Sequence, residues 1–398
     1  MKGRSLIFTI SMFCAGVFAQ DVWTFKDSVN GAPRSAGATF NANGDGFVCG
    51  GFDGFGFTRK TYSYTLFQDD WDDETSLGGL NFDGLDRASA SGFSLNNKGY
   101  ICLGQGESNG FFDDLWEYDA TSMTWSQKAD FIGSPRREAV SFELDNKGYV
   151  GTGQDASGLT RDFYRYDPQT NTWSQVADFG GTARKEAVGF TMGGAGYVGT
   201  GDDGVYKNDF WEYDPILDQW IQRSDFPGTP RKAAVGWGMF PQAFICTGED
   251  INYQYQNDLW EYNFFNDSWV QRADFIGPGR SNAIAFTIDF LAFVGMGYGN
   301  NGTFYDDFYS YTRIIGQDDL EYSNVNVYPN PTSDFFVIDR SFNTKDLKIY
   351  NSSGEDVTSE IQITNLTQKT KVELLSLPSG YYFINHQKDN FYTRILKL

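Results

Sequence analysis

The sequence predicts an all-β protein: a ring of repeated four-stranded sheets followed by a small β-sandwich. Three observations carry that reading. Tryptophans at positions 23, 71, 125, 173, 220 and 269 recur 47 to 54 residues apart, a period typical of chains built from one repeated supersecondary unit. The surrounding text repeats as well: Asp114-Leu-Trp-Glu-Tyr-Asp119, Asp162-Phe-Tyr-Arg-Tyr-Asp167, Asp209-Phe-Trp-Glu-Tyr-Asp214 and Asp258-Leu-Trp-Glu-Tyr-Asn263 each precede a repeat tryptophan. Weaker copies lie at Lys60–Thr65 and Asp307–Thr312. Finally, 17% aromatic residues and 45 glycines suit many short strands joined by tight turns.

Taken in order, residues 1–19 read as a secretory signal peptide: Lys2 and Arg4, an apolar run from Leu6 to Phe18, and small residues Val17 and Ala19 before the cut. The run is too short to span a bilayer, and no later stretch is long and apolar enough. The formal charge of −21 argues against nucleic acid and anionic membranes as partners. From Glu321 onward, eight Lys or Arg stand against nine Asp or Glu, so the excess acid lies in the repeats. Solubility accounts for it. Calcium among the acidic loops is the other reading, although no continuous calcium-binding loop occurs.

Each repeat decodes into four strands. The first follows an arginine, as in Arg136-Arg-Glu-Ala-Val-Ser-Phe142; Arg34, Arg87, Arg184, Arg231 and Arg280 open the other copies. The second, as in Tyr149-Val-Gly-Thr-Gly153, ends in Gly-x-Gly. A variable loop leads to the aromatic third strand, and the fourth begins at the tryptophan. Cys49, Cys102 and Cys246 share the position that Gly151, Gly199 and Gly295 occupy elsewhere. A slot holding only Gly or Cys predicts tight packing and buried free thiols.

The arginine, the glycine pair, the aromatic third strand and the tryptophan resemble kelch repeats, over about Asp21 to Arg313. The family's adjacent glycines survive only at Gly50-Gly51. The resemblance implies a six-bladed kelch-type β-propeller over residues 20–315. The sixth repeat, from Arg280, has no tryptophan after it, while Trp23 precedes the first repeat. Trp23-Thr-Phe-Lys26 is therefore expected to supply the outer strand of the last blade and remove its open edge.

Residues 316–324 read as a linker and 325–398 as a small β-sandwich. Tyr328-Pro-Asn-Pro331, Leu347-Lys-Ile-Tyr-Asn-Ser-Ser-Gly354, Leu377-Pro-Ser-Gly-Tyr-Tyr382 and Arg394-Ile-Leu-Lys-Leu398 resemble the C-terminal sorting domain of type IX secretion cargo. The resemblance implies recognition by that machinery in a Gram-negative bacterium, and a protein that is secreted or attached to the outer surface.

The topology places the arginines and the loops after Gly-x-Gly on one face. Arg34, Arg87, Arg136, Arg184, Arg231 and Arg280 are expected near Glu107, Asp155, Asp202, Asp203, Glu249 and Asp250, with Glu138 and Glu186 two residues into the inner strand, lining the channel. Two readings stand: ion pairing that stiffens the ring, and ligand binding by the arginine fork. The variable loops should set specificity, with Phe111, Tyr206, Tyr253, Tyr255, Phe304 and Tyr305 suited to sugar or protein contact. The single histidine, His386, lies in the tail, which excludes the copper site of galactose-oxidase-type kelch proteins and Ser-His or Cys-His catalysis in the ring. The expectation is a binding or adhesion module for an extracellular glycan or protein, with no metal or cofactor assigned. The alternative resembles the kelch-type sialic-acid mutarotases: Glu138 and Glu186 transfer protons while Arg136, Arg184 and Arg231 hold the substrate carboxylate.

Overall fold

The computed structural model describes residues 20–79, 85–107, 110–314, 327–330, 332–351, 354–366, 368–386 and 391–398. The expected signal peptide (1–19) and linker (316–324) lie outside the described residues. The chain forms two compact units, centred on Val22–Thr312 and on Arg313–Ile349 with Thr358–Leu398.

The first unit holds six four-stranded sheets among the described residues. Their inner strands are Ala38–Ala42, Ser91–Leu95, Val140–Leu144, Val188–Met192, Val235–Met239 and Ile284–Ile288, blades 1 to 6. Neighbouring inner strands meet in cyclic order, and blade 6 meets blade 1. The last sheet is completed by Gln20–Lys26 beside Phe308–Ile314, so the Trp23 strand closes the ring as the sequence predicts.

Each repeated tryptophan joins two blades. The indole Nε1 of Trp125, Trp173, Trp220 and Trp269 donates to a carbonyl of the preceding blade at 2.7 to 3.2 Å. Trp23 does the same to Ala273 at 3.2 Å, which ties the first strand to blade 5. Phe131, Phe179, Phe226 and Phe275 meet the following tryptophan edge-on, with centroids 5.0 to 5.4 Å apart. These aromatic pairs form the layers between blades.

The Gly-or-Cys slot has a packing cause. The residue across from it on the third strand is Phe163, Phe210 or Phe308 where the slot holds glycine. It is Thr61, Leu115 or Leu259 where the slot holds cysteine. A Cβ added at Gly151 would lie 2.2 Å from the Phe163 ring. The pair conserves volume: a large ring requires glycine, and a smaller neighbour admits a thiol. Cys49, Cys102 and Cys246 are free and buried, and burial pushes the Cys49 thiol up to about 11.

The first strand is not continuous, contrary to expectation. The second residue after each arginine (Ala36, Ser89, Glu138, Glu186, Ala233 or Asn282) has φ between 51° and 57°. This left-handed conformation is costly for a residue with a Cβ. A belt of backbone bonds offsets the cost: Ser89 N donates to Ala36 O, Glu138 to Ser89, Glu186 to Glu138, Ala233 to Glu186, Asn282 to Ala233 and Ala36 to Asn282, at 2.9 to 3.1 Å. The belt closes on itself around the channel. Glu138 and Glu186 therefore stand at a break ahead of the inner strands.

In the second unit one sheet orders Val327–Tyr328, Phe335–Ile338, Thr370–Glu373 and Gln362–Asn365, and the other orders Leu347–Asn351, Gly380–His386 and Phe391–Lys397. Phe336, Ile338, Leu347, Ile349 and Val372 alternate with more exposed neighbours and are buried, the pattern of strands with one buried face; Ile384 and Ile395 are buried as well. His386 is buried here against Phe342, 4.6 Å between rings.

Candidate functional site at the channel mouth

The ring arginines are buried, with at most 3% of Arg34 and none of Arg136, Arg184, Arg231 and Arg280 exposed. Their partners are not the loop acids named from sequence. Arg87, Arg136, Arg184, Arg231 and Arg280 each grip both oxygens of the aspartate that opens the third strand, Asp114, Asp162, Asp209, Asp258 or Asp307. Arg184, for instance, donates to Asp209 at 2.5 and 2.8 Å, and also to the carbonyls of Thr182 and Thr200. The rings of Phe131, Phe179, Phe226 and Phe275 lie 4.8 to 5.2 Å from these guanidiniums. Arg34 has no such aspartate, because Lys60 stands at the equivalent position; it donates to Tyr62 at 3.1 Å. Five of the six forks are buried against an aspartate, whereas Nη1 of Arg34 is buried without a hydrogen-bond partner among the described residues. Each of these five pairs ties the approach to a blade's inner strand to the start of the same blade's third strand.

The loop acids fold their own loops. Asp53 accepts from Phe55 and Gly56, Asp155 from Ser157 and Gly158, Asp203 from Val205, and Asp250 from Asn252 and Gln254. These are Asx turns, in which a short carboxylate caps nearby amides.

The residue after each arginine instead pairs across the loop in a short ladder. From blade 1 to blade 6 the opposed residues are Ser35–Phe52–Phe57, Ala88–Gln105–Phe111, Arg137–Gln154–Leu159, Lys185–Asp202–Tyr206, Lys232–Glu249–Tyr255 and Ser281–Tyr298–Phe304. Directly opposed residues share one side of a ladder, so six triplets surround the channel mouth. The glycine ending Gly-x-Gly permits this: a Cβ at Gly153 would lie 2.7 Å from the Arg137 carbonyl, and its φ is +97°.

The face is polarised. Blades 3 to 5 carry Arg137, Lys185 and Lys232 beside Glu138 and Glu186. Lys185 lies 3.0 Å from Glu138 and 3.7 Å from Glu186, Lys232 3.0 Å from Glu186, and Arg137 3.5 Å from Glu138. Burial and then the Glu186 charge hold the Glu138 carboxyl above its ordinary value, against the pull of Lys185 and Arg137. Burial disfavours the Lys232 charge, yet Glu186, Tyr206 and Glu249 outweigh it and raise its pKa. Burial also raises Glu249, against the pull of Lys232. A cavity of about 170 Å³ opens here, lined by Glu138, Glu186, Ser89, Asn282 and small residues.

Blades 5, 6 and 1 carry an aromatic arc. Tyr255 meets Tyr298 at 5.9 Å, Tyr298 meets Phe304 at 5.0 Å, Phe304 meets Phe52 at 5.9 Å and Phe52 meets Phe57 at 5.4 Å. Of the loop aromatics named from sequence, Phe111, Tyr206, Tyr255 and Phe304 stand in the ladders. Tyr253 lies outside them, 72% exposed at a loop tip, and Tyr305 packs on Arg280 at 4.3 Å. Sequence reasoning missed Arg137, Lys185 and Lys232. The signal was a second cation directly after the ring arginine, present only in blades 3, 4 and 5.

A family model described as the KLHDC2/KLHL20/DRC7 kelch-repeats domain matches residues 37–235, and one described as the secretion system C-terminal sorting domain matches residues 326–397. No curated protein matches the chain. Among solved structures, one titled "Structure of YjhT" is similar at a TM-score of 0.61 and 15% identity, covering 71% of this chain and 95% of that one; at that identity the likeness concerns the fold alone. With ring, belt and sorting region in place, the chain belongs to the kelch-repeat family, as a propeller exported through a type IX C-terminal sorting domain.

Proposed function

We propose that this propeller is an extracellular binding module whose ligand docks on the ladder face at the channel mouth. The observation that carries the reading is the polarised set of triplets: an aromatic arc on blades 5, 6 and 1 beside carboxylates and cations on blades 3 to 5. An amphipathic carbohydrate fits such a face, because its ring C–H surface stacks on aromatics while its hydroxyls bond to charged groups; an extracellular protein loop is the other class of ligand. Residues 1–19, acting as a signal peptide, would deliver the chain to the periplasm before type IX export. The test is a glycan array probed with the full chain, with and without calcium. Saturable binding that weakens in Phe304→Ala or Lys232→Met supports the reading. Binding that ignores both variants, or none to any glycan, removes the sugar class and sends the search to protein partners.

A second reading, catalysis of the sialic-acid mutarotase type, is favoured by one observation: two carboxylates share Lys185, and one is held above its ordinary pKa. Arg137, Lys185 and Lys232 would replace the buried arginines as the group facing a substrate carboxylate. Interconversion of sialic-acid anomers followed by NMR, abolished in Glu138→Gln, supports it; equal rates with and without protein dismiss it.

A further inference from the structure

The channel has a second polar ring at its other end, seven residues after each arginine. It comprises Asn41, Ser94, Glu143, Thr191, Gly238 and Thr287, which line a cavity of about 280 Å³. Small residues line the passage between the two rings, Gly92, Gly189 and Ala285 among them.

Glu143 is the one ionisable side chain of this ring. Its side chain is exposed to the channel interior. One carboxylate oxygen accepts from Ser94 N at 3.1 Å. The adjoining inner strands offer Ser94 on one side and Thr191, which donates to the Glu143 carbonyl, on the other. Among the described residues no cation pairs with it, in contrast to Glu138 and Glu186. Enclosure by the ring pushes the carboxyl up to about 7, an effect that channel water tempers. At neutral pH a large share of the molecules therefore carry a negative charge on the channel wall with no cation paired to it among the described residues.

The other polar side chains of the ring, Asn41, Ser94, Thr191 and Thr287, each carry a hard oxygen, and aromatic rings form the apolar part of the lining. Asn41 uses its amide nitrogen to donate to the Thr287 carbonyl, which leaves its amide oxygen free of that bond. Ser94 and Thr191 add hydroxyls. No thiol or imidazole lines the cavity. Oxygen donors select hard cations. A single carboxylate balances one positive charge, whereas calcium sites commonly gather several carboxylates. The cavity is also larger than a bare ion, with room for ordered water.

We propose that the Glu143 ring is a binding site for a hydrated monovalent cation, held on the channel axis opposite the ligand face. The ion neutralises Glu143 and draws in the neutral oxygens of Asn41, Ser94 and Thr191. Nothing in this proposal depends on what the ladder face binds.

The experiment uses the full chain. Thermal unfolding is followed at about pH 8 in sodium, potassium, rubidium or choline chloride at equal ionic strength, and crystals are soaked in a thallium(I) salt. The expected results are a Tm that climbs with the logarithm of alkali cation concentration relative to choline, and an anomalous peak beside Glu143. In Glu143→Gln both should vanish while the far-ultraviolet spectrum stays native. If that variant misfolds, Glu143→Asp keeps the charge, and its weaker alkali-dependent rise in Tm tests the same point. An equal alkali response in wild type and Glu143→Gln overturns the site, as does the absence of a peak. A response to calcium alone overturns the monovalent assignment.

Discussion

The two ends of the channel are made by the same six strands and solve the problem of charge in opposite ways. At the ladder face, two carboxylates meet Arg137, Lys185 and Lys232, and beneath them five of the six ring arginines each pair with one aspartate. At the far end, Glu143 stands among hydroxyls and an amide. Six-fold repetition supplies equivalent positions at both ends. At both ends the repeats differ in the charge of the residue at a shared register.

The comparison can be broken at four depths. The largest effect should follow Arg184→Met. It strips Asp209 of its buried partner and should cost about 3–5 kcal/mol in chemical denaturation, the usual penalty for orphaning one half of a buried pair. A loss below about 1 kcal/mol would mean that the arginine–aspartate pairs do not brace the blades.

Lys185→Met should come next. It leaves Glu138 and Glu186 with one shared cation fewer, so the Glu138 carboxyl rises further. An acid whose folded pKa exceeds its unfolded value binds extra protons when native, so its contribution to stability is present at low pH and lost as pH rises through the folded value. The variant should therefore lose stability more steeply than wild type as pH rises above the ordinary carboxylate range, read from denaturation midpoints. Parallel pH profiles would show that Lys185 does not compensate the pair.

Glu143→Gln should act with the opposite sign. Its carboxyl lies at about 7 against an ordinary 4.5, so ionisation in the fold costs stability as pH rises through that window. In choline buffer at about pH 8 the variant should melt higher than wild type, and at about pH 4 the two should coincide. A variant that melts lower at both pH values would mean that Glu143 contributes through its hydrogen bond to Ser94 and not through its charge.

Phe304→Ala should have the smallest effect. The half-buried ring belongs to the arc and not to the blade core, so Tm should hold while ligand affinity falls by about 1 kcal/mol, several-fold in Kd. A large drop in Tm would place the arc in the scaffold.

Much of this was legible from residues alone. The repeat tryptophans, the unpaired Trp23 and the missing sixth tryptophan predict both the blade count and the closure. The reason is that each blade must bury the same layer, so one pattern is written six times. The Gly-or-Cys slot was visible as a constraint, but its cause was not, because Gly151 and Phe163 are twelve residues apart and meet only across a strand pair.

The site was legible in part. Tyr206, Tyr255 and Phe304 were named, while Arg137, Lys185 and Lys232 were passed over beside the more regular arginines. Repetition misled here. A group present in every copy serves what every copy does, which is to build a blade; a group present in three copies is free to serve a ligand.

Local sequence determined the strands, the turns and the export region, because hydrophobic period and turn chemistry act between near neighbours. Only the closed ring decided which charges meet. The left-handed belt places Glu138 and Glu186 beside Lys185 and Lys232 of adjacent blades, and such pairings between residues some fifty positions apart exist only after the last strand has joined the first.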